Sequence, residues 1–102
     1  MISHIKPSAG TTALLASAET GFELFLTGFA CNTGSTDAKI TVYAVGSGES
    51  PGAGMELYSA LPLQHNDTFA FTPIHLESGE SLHVWCSTSD VVFTATGQRL
   101  TK

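Results

Sequence analysis

Apolar side chains recur at every second position through almost the whole of this chain, and no stretch shows the three-and-four spacing of a helix. Successive side chains of a strand point to opposite faces, so this alternation predicts β-strands that each turn one face to a core. The longest example is residues 22–45, FELFLTGFACNTGSTDAKITVYAV, in which two alternating runs flank a small polar turn. Residues 81–97, SLHVWCSTSDVVFTATG, repeat the design near the C-terminus.

The pattern predicts strands over 11–16, 22–31, 38–45, 55–61, 68–76, 81–87 and 91–97. In the second, Leu24, Leu26 and Ala30 share one face while Phe25, Phe29 and Cys31 share the other. Two apolar faces predict a central strand, and Gly28 within it predicts a bulge or a close backbone approach. The turn residues NTGSTD, 32–37, predict an antiparallel hairpin returning through Ile40, Val42 and Ala44. The Gly/Ser/Pro-rich segment 46–54, GSGESPGAG, predicts a mobile surface loop. Pro73 confines its part of strand 68–76 to an edge or a bend, because proline has no N–H for a ladder. Residues 88–90 predict the turn of a closing hairpin. Seven to eight short strands at roughly 8–12-residue spacing predict an all-β, antiparallel β-sandwich of jelly-roll-like or immunoglobulin-like topology. The expected organisation is an N-terminal arm, 1–10, and a single sandwich domain, 11–102.

Composition narrows the function. At 102 residues the chain fits one domain with a modest core, a size at which partners often add stability. Charged residues are 13% of the chain, against about 25% in a typical soluble domain. Its four basic groups, Lys6, Lys39, Arg99 and Lys102, and a net charge of −5 exclude the basic footprint that nucleic acid requires. The N-terminal MISHIKPSAG lacks the apolar run of a signal peptide, and no segment approaches the roughly 20 apolar residues of a membrane span. The expectation is a soluble chain made in a cytoplasm, with no nucleic-acid or membrane partner.

Cys31 and Cys86 lie 55 residues apart, a separation like that of the immunoglobulin inter-sheet disulfide. Their companions differ: Tyr43 stands in the region of the expected Trp, Val84 stands two before Cys86, and the sole Trp is Trp85. Free buried thiols are the simpler reading for a chain made in a cytoplasm. Residues 48–52, GESPG, match G-x-S-x-G, but a nucleophile elbow needs a strained strand-to-helix turn, and Pro51 with its glycines in an all-β chain denies Ser50 that setting. His4, His65, His75 and His83 lack metal-ligand spacing, although His75 and Glu77 would share a strand face. The carboxylates are scattered over turns. No catalytic residue, metal site or cofactor is expected, and the chain reads as a non-enzyme. Asn66-Asp67-Thr68 matches a glycosylation sequon, which without a signal peptide has no consequence. Phe69 and Phe71 fall on one face and read as core rather than as a sugar-binding platform.

Several segments together resemble small virion structural proteins of tailed bacteriophages: CNTGSTDAKITVYAV at 31–45, the loop at 46–54, IHLESGESLHVWCS at 74–87 and VVFTATGQRL at 91–100. The likeness spans roughly residues 11–100. It implies a capsid decoration or cement protein that stabilises a virion through protein–protein contacts, or else a tail, adaptor or fibre component. The implied partners are the major capsid protein or other virion proteins and further copies of the chain. Contacts are expected from edge strands and from loops, including Ser50 and Pro51. The arm is the other expected contact, through Ile2, Ile5 and a stiffening Pro7. Two other classes stay open. A carbohydrate- or receptor-binding module would expose Trp85, Tyr43 or Tyr58 beside polar groups, and an enzyme would set His65, His75 or His83 near a carboxylate within a pocket.

Overall fold

The computed structural model describes residues 1–101 and contains nine strands in two antiparallel sheets. These are β1 (Ile2–Ile5), β2 (Thr12–Ser17), β3 (Phe22–Asn32), β4 (Ala38–Val45), β5 (Glu56–Leu63), β6 (Thr68–Ala70), β7 (Ile74–Leu76), β8 (Ser81–Cys86) and β9 (Val91–Thr101). Sheet I has the order β1-β9-β3-β6, with β7 also paired to β3, and sheet II has the order β2-β8-β4-β5. Among the described residues there is no helix, and so none long and apolar enough to cross a membrane.

The chain changes sheet at nearly every connection. Only β4–β5 and the interrupted β6–β7 stay within one sheet. Counting β6 and β7 as one broken strand leaves eight strands in two four-stranded layers, the first strand beside the last. Of the two expected topologies this is the jelly roll. The expected hairpins 22–31/38–45 and 81–87/91–97 do not form. β3 and β9 lie in sheet I and their chain neighbours β4 and β8 in sheet II, so both polar turns are crossings between layers. Alternation gives the direction in which each side chain points, and a run with one inward face can join either layer. The connection that does make a hairpin is the Gly-rich segment 46–54, which joins β4 to β5 and contains two hydrogen-bonded turns, Glu49 N–H to Gly46 O and Met55 N–H to Gly52 O.

Between the sheets lies one core, in which Leu24, Leu26, Ala30, Phe93 and Ala95 of sheet I face Ile40, Val42, Leu82, Val84 and Cys86 of sheet II. Phe93 is its largest fully buried side chain. Phe71 and Phe69 extend the core toward Tyr58, and ring centroids 5.0 Å apart set Tyr58 edge-on to Phe69. The expectation that these Phe rings serve the core therefore holds. Strand β3 is central, as expected, and pairs with β9 over its whole length without a bulge. Gly28 serves a close approach, chiefly by a side chain: a Cβ there would lie 2.5 Å from the Phe71 ring and 3.1 Å from the Thr94 carbonyl oxygen.

The first residues depart from the expected arm. Ile2–Ile5 forms β1, in register with Phe93–Thr96 of β9, and the Ser3 hydroxyl donates to Leu15 O at 2.7 Å to tie this edge to β2. Ile5 packs against the core and Pro7 is buried, so neither is free to reach a neighbour; Ile2 points outward and is 69% exposed. Cys31 is half-buried on the outer side of sheet I, whereas Cys86 is buried in the core from sheet II, and both are free thiols.

Candidate functional site

The feature most in need of explanation is the outer face of sheet I. Register places Phe25 beside Gln98 and His75, Thr27 beside Thr96, and Phe29 beside Thr94 and Ala70. The two apolar faces of β3 predicted a central strand, which it is, but its second face has no second layer over it. It faces outward, leaving Phe25 43% and Phe29 42% exposed. Among the described residues nothing covers this face, because sheet II lies on the other side. The readable signal was β9, whose Thr94 and Thr96 alternate with core residues Phe93 and Ala95 and so mark the outward side.

Where β6 breaks from β7, the face dips into a groove of about 300 Å³ lined by Phe25, Thr27, Pro73, Ile74, His75 and Thr96. Gly97 also lines it, and a Cβ at that position would strike the Phe25 carbonyl. The Phe25 and His75 rings are stacked, with centroids 4.4 Å apart and planes within 4° of parallel, as expected for a cross-strand pair on one face. His75 Nε2 lies 3.2 Å from Glu23 Oε1. The carboxylate that meets His75 is thus Glu23, 52 residues away, and not Glu77, whose N–H is taken by the Glu80 carboxylate across the turn.

The enzyme reading asked for a histidine near a carboxylate in a pocket, and His75 meets that minimum. Its side-chain hydrogen bonds end at Glu23, and no Ser, Cys or Thr oxygen or sulfur is bonded to the ring. A working base needs a reacting group within hydrogen-bond reach, and the two hydroxyls that line the groove, those of Thr27 and Thr96, bond to each other at 3.3 Å. Ser50 is exposed in the 46–54 loop, Pro51 is half-buried, and neither has a histidine partner. Among the described residues no three His, Cys, Asp or Glu side chains are grouped as metal ligands.

The outer face of sheet II carries Trp85, Tyr43 and His83, all half-buried, with Leu14 exposed beside His83. Burial pushes the His83 imidazole below its ordinary value of 6.5. Tyr58 is not part of this face: its hydroxyl accepts from Thr72 N–H at 3.0 Å and its ring packs on the core.

His65 and Asp37 form the second His–carboxylate pair, 3.2 Å apart at an exposed end of the sandwich. Hydrogen bonds from the His65 ring and backbone N–H hold the Asp37 carboxyl below its ordinary 3.8. A depressed folded-state pKa contributes stability that is present above the unfolded value and is lost as pH falls through the folded one. Acidification below about pH 3.8 should therefore weaken this tie. An NMR titration should give Asp37 a midpoint below 3.8, returning toward 3.8 in His65→Ala; a midpoint unchanged by that substitution would remove the pairing as its cause.

No protein-family model matches the chain, and no curated protein matches it.

Proposed function

We propose that this protein is a structural assembly protein that works by burying surface, and specifically a capsid decoration or cement protein of a tailed-phage virion. The observation carrying the assembly reading is the open outer face of sheet I, where Phe25, Phe29 and Ile2 are exposed on one continuous sheet surface. Single exposed apolar residues are ordinary, but several on one uncovered sheet face, here interleaved with Thr27, Thr94 and Thr96, suit a contact surface. The phage setting rests on the segment resemblance at 31–45, 74–87 and 91–100. Jelly rolls occur in capsid and lectin proteins alike, so the fold agrees with the setting without selecting it.

The contacts fall to a face rather than to edges, because each free edge is blunted. β5 carries Pro62 and a bulge at which Ala60 takes a φ of 49°, its N–H held by Thr41 Oγ1. Pro73 interrupts β6–β7, a register shift between Leu14 and Ala16 bends β2, and β1 is only four residues long. The test is mass spectrometry of gradient-purified particles, in which peptides of this chain should persist with the capsid. Their absence would overturn the virion reading; their confinement to tail fractions would move it to the tail or fibre alternative.

A second reading, a carbohydrate-binding module, is favoured by Trp85 and Tyr43 sharing the outer face of sheet II beside Thr41 and His83. A glycan array showing binding that Trp85→Ala abolishes would support it, and a blank array would remove it.

A further inference from the structure

We propose that the outer face of sheet I docks a second copy of this chain, face to face about a two-fold axis, so that the unit of assembly is a dimer. This deepens the assembly reading and rests on it. Three features of the face point to a copy of itself. The chain carries a net charge of −5, yet the positions of β1, β9, β3 and β6–β7 that form the centre of this face include no Asp, Glu, Lys or Arg. Glu23, at the rim, is engaged by His75. Two copies that each carry a net charge of −5 repel, so a face whose centre holds no fixed charge is where a second copy approaches at least electrostatic cost, and it offers a charged partner nothing to pair with.

The face also carries both a knob and a hole. Ile2, 69% exposed, stands beside Thr96 on one side of β9, and the groove of about 300 Å³ opens between Thr96, Thr27 and Phe25 on the other. The two lie two strands apart, roughly 10 Å. A two-fold axis lying in the interface along β9, midway between them, sets Ile2 of each copy over the groove of the other. The same rotation lays β3 over β1 of the second copy, so that Phe29 meets His4, which shares its row through Thr94. Each contact occurs twice, as an isologous interface requires.

The area suits a weak dimer, which the micromolar range tests. With β3 and β9 eleven residues long, β6–β7 spanning 68–76 and β1 four residues, at about 4.8 Å between strands and about 3.4 Å per residue, the face presents roughly 570 Å² per copy, or about 1,100 Å² over both, near the low end of specific interfaces. Two twisted sheets stacked about 10 Å apart form an ordinary aligned packing.

Sedimentation equilibrium of the full chain, from low to high micromolar, tests this. The expected result is a monomer–dimer equilibrium whose dissociation constant rises at least roughly 30-fold in Phe29→Asp and in Ile2→Asp, as for loss of a central apolar contact. Leu14→Asp, on the outer face of sheet II, should leave it unchanged. Circular dichroism and the milder Phe29→Thr separate lost docking from lost folding. An Ile2→Cys, Thr27→Cys variant with Cys31→Ser should form disulfide-linked dimers, since the two positions are too far apart to bond within one chain. A chain monomeric throughout, or a dimer indifferent to Phe29→Asp, overturns the proposal. A monomer whose binding to particles is abolished by Phe29→Asp would show that another virion protein occupies the face, overturning the dimer while keeping the assembly reading. A dimer absent from particles would keep the dimer and remove the virion reading.

Discussion

Replacing Asn32 with leucine should lower the stability of this domain by about 3–5 kcal/mol, because each buried polar group orphaned by the change costs about 1–3 kcal/mol. Asn32 is the last residue of β3 and is fully buried, where the chain leaves sheet I for sheet II. Its Nδ2 donates to Thr36 O at 2.9 Å and Leu63 O at 3.1 Å, and its Oδ1 accepts from Gly34 N–H at 3.0 Å. Its backbone adds an N–H to Asp67 O and accepts from Asn66 N–H. One residue therefore ties the β3–β4 crossing to the β5–β6 crossing. A domain of this length holds only about 5–15 kcal/mol in total, so the loss is a large share of it. Guanidinium unfolding should show a lower midpoint at an unchanged slope.

Asn32→Asp sharpens the test because it keeps the shape and removes both donors. It would set a carboxylate against Thr36 O and Leu63 O, so at neutral pH it should be at least as damaging as leucine. Burial among carbonyls raises a carboxyl pKa, so the folded variant takes up its proton at a higher pH than the unfolded chain. Its stability relative to wild type should then recover partly as pH falls through that raised value. An Asn32→Asp variant as stable as wild type at pH 7 would show that these hydrogen bonds do not hold the crossing.

Strand positions and inward faces were legible in the sequence because both follow from a period of two. Leu24, Leu26, Ala30, Ile40, Val42, Leu82 and Val84 are all buried. Which strand lies beside which was not legible. A polar turn such as 32–37 can close a hairpin or carry the chain over the end of a sandwich, and the two differ by the partner of Asn32, whose carbonyl acceptor on Leu63 is 31 residues distant. Likewise β1 was hidden because Ile2 and Ile5 are too few to show a period, and their partner, β9, is at the other end of the chain.

The candidate site was not legible for a related reason. An apolar second face on β3 is the expected mark of a strand covered on both sides, and composition does not reveal whether the cover belongs to the same chain. The glutamate facing His75 was likewise set by register between β3 and β7 and not by local spacing. What remained readable was β9: a strand alternating Phe and Ala with Thr has one dry face and one wet one, and its lateral neighbour must share them.

The distinction between the two kinds of phenylalanine can be measured. Phe93 is fully buried in the middle of β9, beside Ala30 in register and 6.5 Å from the Phe71 ring centroid. Ala30 and Ala95 leave room for its ring, so truncation to alanine opens a cavity that alanines cannot fill. Phe93→Ala should cost about 3–5 kcal/mol through lost transfer energy and the residual cavity. At roughly 4–8 °C per kcal/mol for a domain of this size, the melting temperature should fall by about 15 °C or more. Phe25→Ala removes the same atoms from the outer face, where 43% of the residue already meets water and no cavity is left behind. Its cost to the monomer should stay near or below about 1 kcal/mol, as for substitutions outside a core. Calorimetry of both variants, below the concentration at which the chain self-associates, decides the matter. Equal losses would mean that the Phe25 face is covered within the monomer, leaving the assembly reading without its surface. A large gap would mean that folding makes little use of the Phe25 ring and that this face is free to bind.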